Sequence, residues 1–350
     1  VGAEAAAWRL AGKDPAAWEP LPAPLAGLTP AGRDAAGRIL LLGMAGAERV
    51  ERVIAHDGVS ASLPEVVPEE VRDIGRPAFA LGTRSGELWI GGETALLWRR
   101  GTNWSRFAAE AGGAADGALA ALELPNGRLW VGGRDGLREF DGTAWHTLRR
   151  GLDRVHALVQ TRDGDIWAAT ASGLHRYRDE AWTAMGPEEG LPASAAYTVL
   201  EDREGGLWAG TARGPAVFDR DADRDPPRAE ILSADVPAIA GDGRALFLLG
   251  GADRWHFTPP GRLLFSWRLD NGPWSPWRST AVAPLTNLAA GSHVFAVRAL
   301  DRAGNVSAAP AGREFTVVLP WFRDPRLLGV ALLGAAGAAG LVLLAPHRHL

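Results

Sequence analysis

One seven-residue phrase occurs four times in this chain. The copies are Gly86-Glu87-Leu88-Trp89-Ile90-Gly91-Gly92, Gly127-Arg128-Leu129-Trp130-Val131-Gly132-Gly133, Gly164-Asp165-Ile166-Trp167-Ala168-Ala169-Thr170 and Gly205-Gly206-Leu207-Trp208-Ala209-Gly210-Thr211. Their tryptophans stand 41, 37 and 41 residues apart, and in three copies a second tryptophan follows after 15 residues, as Trp104, Trp145 and Trp182. A period of about 40 residues made of short alternating segments is the pattern of a β-propeller, one four-stranded blade per repeat.

The third copy spells out a blade. Residues 155–161 read as the innermost strand, Asp163-Gly164 as a tight turn that needs a positive φ, and 166–170 as the second strand. Residues 174–178 alternate as a third strand, and Trp182 starts the outer one. The repeated tryptophans, Trp89, Trp130, Trp167, Trp208, Trp104, Trp145 and Trp182, are read as packing between blades rather than as a carbohydrate platform.

Upstream the pattern decays. Residues 37–43 fit the first half of a blade with leucine in place of tryptophan, and Trp8 with Trp18 fits only the second half of one. The expectation is a propeller over 1–227 with five to six blades, of which the first half-blade and the second blade are degenerate. A chain that opens inside a blade is expected to be a segment of a longer protein.

Composition narrows the function. The chain has 350 residues, no cysteine and a formal net charge of −4. That excludes disulfide scaffolds, thiol nucleophiles and cysteine-ligated zinc. A mildly acidic balance without a basic block argues against nucleic-acid partners. Asp219, Asp221, Asp223 and Asp225 alternate up to Pro226-Pro227. They lack the central glycine and distal glutamate of a calcium loop, so the run reads as a solvated linker and no metal or cofactor is expected.

Residues 228–320 change texture. Six or seven strand-like segments in about 90 residues, with turns such as Asp270-Asn271-Gly272, predict an immunoglobulin-like sandwich. Residues 327–345 then carry no charged or strongly polar side chain. Such a run is long enough for a transmembrane helix, with a buried soluble helix as the alternative. Trp321 and Phe322 precede it, and 346–350 are expected to begin a cytoplasmic segment. Its Gly/Ala run, 334–340, permits close contact between helices.

The last phrase with its lead-in, residues 190–202, resembles the two-component regulator propeller repeat. Residues 265–270, Trp274-Ser275-Pro276-Trp277 and 297–301 resemble the three-tyrosine sandwich domain that follows such propellers, with Trp267 where that family has tyrosine. The resemblance implies the extracytoplasmic sensor of a bacterial two-component or related signalling protein, of histidine kinase type. It implies residues 1–320 outside the inner membrane, one membrane pass, a homodimer formed through sandwich and helix, and an output domain absent from this chain. It implies no enzyme within the chain itself. The alternatives are a membrane-anchored interaction scaffold and a propeller lyase resembling virginiamycin B lyase.

In a propeller, the loops entering the innermost strands converge on the mouth of the central channel. Here they are 112–117, 151–156 and 191–197. They offer Asp116, Asp153, Arg154, His156, Ser194 and Tyr197 as contacts for an unidentified small-molecule or polymer ligand.

Overall fold

The computed structural model describes residues 8–10, 18–20, 28–46, 49–108, 117–219, 221–233, 238–240, 243–318 and 325–344. Contacts divide the chain into two units, residues 1–178 with 184–219 and residues 179–183 with 220–350. The division after 219 comes before the expected one at 227.

The repeat unit is all-β. Its first blade runs from inside outward as Leu28–Arg33, Ile39–Ala45, Arg49–His56 and Glu65–Val66. The second is Pro77–Gly82, Leu88–Gly92, Ala95–Arg100 and Asn103–Ala108. Ala120–Glu123, Leu129–Gly132, Gly136–Phe140 and Trp145–Arg150 form the third. Val155–Gln160, Ile166–Thr170, Gly173–Arg178 and Ala181–Met185 form the fourth. A fifth has three strands, Ala196–Glu201, Leu207–Thr211 and Gly214–Phe218. Trp8–Leu10 and Trp18–Pro20 pair as a separate two-stranded sheet.

The phrase read from the sequence does two jobs in the second, third and fourth blades. Its first glycine closes the inner hairpin in the left-handed region, as at Gly164 with φ 93°, where the amide donates to Thr161 O at 2.9 Å. Its tryptophan lies against the next blade. The Trp89 ring meets Phe140 at 5.4 Å, Trp130 meets Tyr177 at 5.4 Å, and Trp167 meets Phe218 at 5.0 Å. In each pair a second-strand tryptophan abuts a third-strand aromatic of the following blade. Trp208 has no such cover among the described residues and is 39% exposed.

The degenerate upstream region is a complete blade. Leu40 occupies the tryptophan position, and the strand Leu28–Arg33 pairs in parallel with the inner strand of the second blade, Gly32 opposite Ala80. Only glycine fits there, since a Cβ on Gly32 would lie 1.8 Å from the Ala80 carbonyl oxygen.

The second unit packs two sheets around one core. Arg228–Ile231, Ala245–Ala252 and Val282–Leu285 form one sheet, and Ala238–Ala240, Ala311–Val318, Gly291–Leu300 and Leu264–Leu269 the other. Phe247, Phe265, Trp267, Phe295, Val297, Phe315 and Val317 fill the space between them, with the Phe247 and Phe295 rings stacked at 4.3 Å. This is a β-sandwich. The acidic run is not a free linker, because Asn305 Nδ2 donates to Asp223 O at 3.2 Å and the Trp255 indole donates to the Asp225 carboxylate.

Asp301 anchors that clasp. It is fully buried and accepts from Gly304 N and Asn305 N, each at 2.7 Å, and from Asn305 Nδ2 at 2.9 Å. Burial, with Asp223 nearby, pushes its pKa up from 3.8 to about 6 despite those bonds. A carboxyl raised on folding contributes stability that is fully present below pH 3.8 and is lost as pH rises through about 6. Asp301→Asn keeps an acceptor and removes the proton, so the unfolding midpoint should vary less with pH between 3.8 and about 6 than in the wild type. Urea titrations across that range would show it, and an unchanged pH slope would contradict it.

Helix α1 spans Pro325–Leu344. Leu328, Val330, Leu332 and Leu333 are exposed on it. Among the described residues no helix is long and apolar enough to cross a membrane. The expected span over 327–345 is therefore not found, and 345–350 lie outside the described residues.

Candidate functional site

Inner strands of successive blades are neighbours: 77–82 with 120–123, 120–123 with 155–160, and 155–160 with 196–201. The ends at which these strands begin therefore gather on one face. Four of the six residues predicted for that face come together there.

His156 and Tyr197 lie on adjacent inner strands with ring centroids 5.2 Å apart, tilted by 46°. Each is the extra residue of a bulge. The pairing jumps from Val155–Thr170 to Ala157–Ala169 and from Ala196–Thr211 to Thr198–Gly210. The second blade repeats the jump across Ala78. All three extra residues stand eleven positions before the tryptophan of their blade. A bulge bends the strand and re-aims the side chain of the extra residue. The same backbone device thus presents imidazole, phenol or methyl, according to the blade.

Asp153 and Arg154 complete the cluster. Arg154 Nε lies 3.3 Å from Asp153 Oδ1, and both side chains are exposed. Their loop is stitched down by its backbone. Gly151 N donates to Asp135 O at 2.8 Å, Arg154 N to Arg134 O at 2.9 Å, and Ala171 N to Asp153 O at 2.9 Å. Arg154 is held at φ 46°, a left-handed conformation that costs a non-glycine residue roughly 1 kcal/mol. Held strain of this kind concentrates at binding and switch sites.

Electrostatics keep the imidazole neutral. Burial lowers the His156 pKa and the Arg154 charge lowers it further, while Asp153 opposes both. The cluster therefore offers one cation, one anion, a neutral imidazole and a phenol to whatever enters. Ser194 is exposed on the loop before Tyr197, and no hydrogen bond joins it to the cluster among the described residues. Asp116 lies outside the described residues. No group of three or more His, Asp or Glu is placed to hold a metal ion among the described residues.

The residue types were readable from the sequence, but the bulges that aim them were not. The available signal was the fixed distance from each tryptophan. It becomes meaningful only once the strand pairing shows a shift there.

Residues 190–213 match the family model of the two component regulator propeller. No curated protein matches the chain. Among solved structures, an extracellular domain assigned to a hybrid two component system of B. thetaiotaomicron aligns at 14% identity and a TM-score of 0.50, over 84% of this chain and 44% of its own. An extracellular domain assigned to a one component system of the same organism aligns at 14% identity and 0.41, over 83% and 43%. PorZ, a surface component of the type-IX secretion system of Porphyromonas gingivalis, aligns at 14% and 0.44, over 83% and 45%. The chain spans less than half the length of each. The first likeness establishes a shared fold, and the family match identifies the repeat ending in the fifth blade as a two-component regulator propeller repeat.

Proposed function

We propose that this chain is the extracytoplasmic ligand-sensing region of a bacterial two-component-type membrane receptor. The observation that carries the reading is the His156–Tyr197 pair, presented on matching bulges beside Arg154 and Asp153. A propeller repeat of the signalling family and a fold shared with the extracellular domain of such a system support it. The site binds rather than transforms its ligand. The second unit acts as an immunoglobulin-like relay, and α1 follows it in the chain. The sequence 327–345 has no charged residue to keep it in water. Dimer contact through the Gly/Ala run 334–340 would move two such helices together.

A ligand drives such a switch only through its difference in affinity for the two states. The test is a binding screen of labelled glycans and peptides against the full chain, repeated with Arg154→Ala and Tyr197→Ala. Any specific ligand is expected to lose about tenfold or more in affinity in each variant, the size of one charge-assisted or aromatic contact. A ligand bound equally well by both variants would remove the mouth from the account.

A further inference from the structure

The seam between the first two blades is built differently from the next three. In each of those, the second-strand tryptophan meets an aromatic residue of the following blade, and that residue has a fixed cross-strand partner: Phe140 lies opposite Leu129, Tyr177 opposite Ile166 and Phe218 opposite Leu207. At the first seam Leu40 stands for the tryptophan, and Arg99, opposite Leu88, stands for the aromatic residue. Neither ring of the pair is there. A cleft of about 490 Å³ opens between the two blades, within the size range of ligand sites. We propose that this cleft binds a planar, uncharged aromatic ring, carried by a small molecule or by a peptide, in the place that the other seams give to tryptophan. The proposal is separate from the channel mouth and does not rest on the sensor reading.

Strand register sets the walls. Leu40 pairs with Ala55, and Val53 with both Leu42 and Glu65, so these residues of the first blade share one sheet face. That face meets the second blade, because Leu40, Leu42 and Val53 lie in one buried cluster with Leu88, Ile90 and Leu97. Arg99 stands two positions after Leu97 and opposite Leu88, on the same side of its strand. The inner hairpins of the two blades complete the lining with Asp34, Arg38, Thr83 and Arg84. They stand at the ends of the inner strands, away from the channel mouth.

The chemistry suits a neutral ring. Leu40, Val53, Ala55 and Leu88 supply an apolar wall, and Leu63, also on the lining, is left 91% exposed. Each guanidinium group of the lining has a carboxylate beside it. Arg38 Nε lies 2.6 Å from Asp34 Oδ2, Arg99 Nε 2.6 Å from Glu65 Oε1, and Arg84 Nε 3.4 Å from Glu123 Oε2. An entering ion would have to displace one of these pairs, whereas a ring would not. The Arg99 side chain is only 20% exposed and holds the position of a ring. A guanidinium group stacks on aromatic faces. The chain already makes that contact at its fourth seam, where Arg176 lies over the Trp167 and Phe218 rings at 5.4 and 5.8 Å.

The experiment is isothermal titration of the full chain with indole, N-acetyltryptophanamide and, as a saturated control, cyclohexanol. It is repeated with Leu40→Trp, which puts an indole of the chain's own into the cleft, and with Arg99→Gln. Indole, the amide or both are expected to bind saturably, and cyclohexanol about threefold more weakly or worse. Preference for indole indicates a free small molecule, and preference for the amide a peptide side chain. Leu40→Trp should abolish binding while raising the urea midpoint of the repeat unit, a pairing that misfolding cannot imitate. Arg99→Gln should weaken binding about threefold or more. Absence of saturation by both aromatic probes, cyclohexanol bound as tightly as they are, binding kept by folded Leu40→Trp, or binding undiminished in Arg99→Gln overturns the proposal.

Discussion

Replacing Trp167 with alanine is expected to lower the unfolding free energy of the repeat unit by about 3–5 kcal/mol. The side chain is 1% exposed, and it sits in a cluster with Leu174, Met185, Leu191 and Leu207 drawn from the fourth and fifth blades. Its ring meets Phe218 at 5.0 Å and the Arg176 guanidinium at 5.4 Å. Truncation therefore loses transfer energy, leaves a cavity between two sheets and uncovers a buried cation at once. Trp208 occupies the same place in the motif with 39% exposure and one hydrogen bond, to Asp202 Oδ2 at 2.7 Å. Trp208→Ala should cost only about 1 kcal/mol, the worth of a half-exposed ring and one hydrogen bond. Urea denaturation followed by far-ultraviolet circular dichroism compares the two. Equal costs would mean that the tryptophans do not act through the blade that follows them.

That contrast marks where sequence reasoning ends. The period, the inner hairpins and the strand order of the fourth blade follow from local residues, because turns and alternation are local. The strand Ile166–Thr170 lies where the pattern put it, and Gly173–Arg178 differs by one residue. Which tryptophan is covered depends on what stacks against it, and four similar phrases carry no such information. The first blade was read only as a degenerate copy around 37–43, because Leu40 stands at the tryptophan position and Pro30 interrupts its inner strand. Its completeness shows in the ordered pairing of its four strands and in the parallel contact of Gly32 with Ala80.

The same division holds for the sites. Loops of a propeller that lead to inner strands could be located from the repeat, so Asp153, Arg154, His156 and Tyr197 were nameable in advance. Their approach to one another depends on bulges, which exist only as a mismatch between two strands. The acidic run misled for a related reason. Asp223 and Asp225 meet Asn305, about 80 residues away, and no local pattern announces a contact of that span.

A second large effect is expected at Asp165, the residue after the turn glycine of the third phrase. Its Oδ2 accepts from Arg176 Nε at 2.6 Å and its Oδ1 from Arg178 Nε at 2.5 Å. The Arg176 and Asp165 side chains are 5% and 4% exposed. Burial pulls the Arg176 pKa down, and Asp165 is the main group opposing that fall. Asp165→Ala leaves a buried guanidinium over the Trp167 ring without its counter-charge, which should cost about 3–5 kcal/mol. The pair itself need not be worth that much, because both ions lost water to form it. Combining Asp165→Ala with Arg176→Met should therefore recover a large part of the loss, since a flexible apolar side chain can fill the place of the guanidinium stem. Urea titrations of the two single variants and the double give the coupling energy directly. A double variant as unstable as the sum of the singles would show that Asp165 and Arg176 act independently. The repeat would then owe its fourth blade to tryptophan packing alone, without the charge pair that now sits above it.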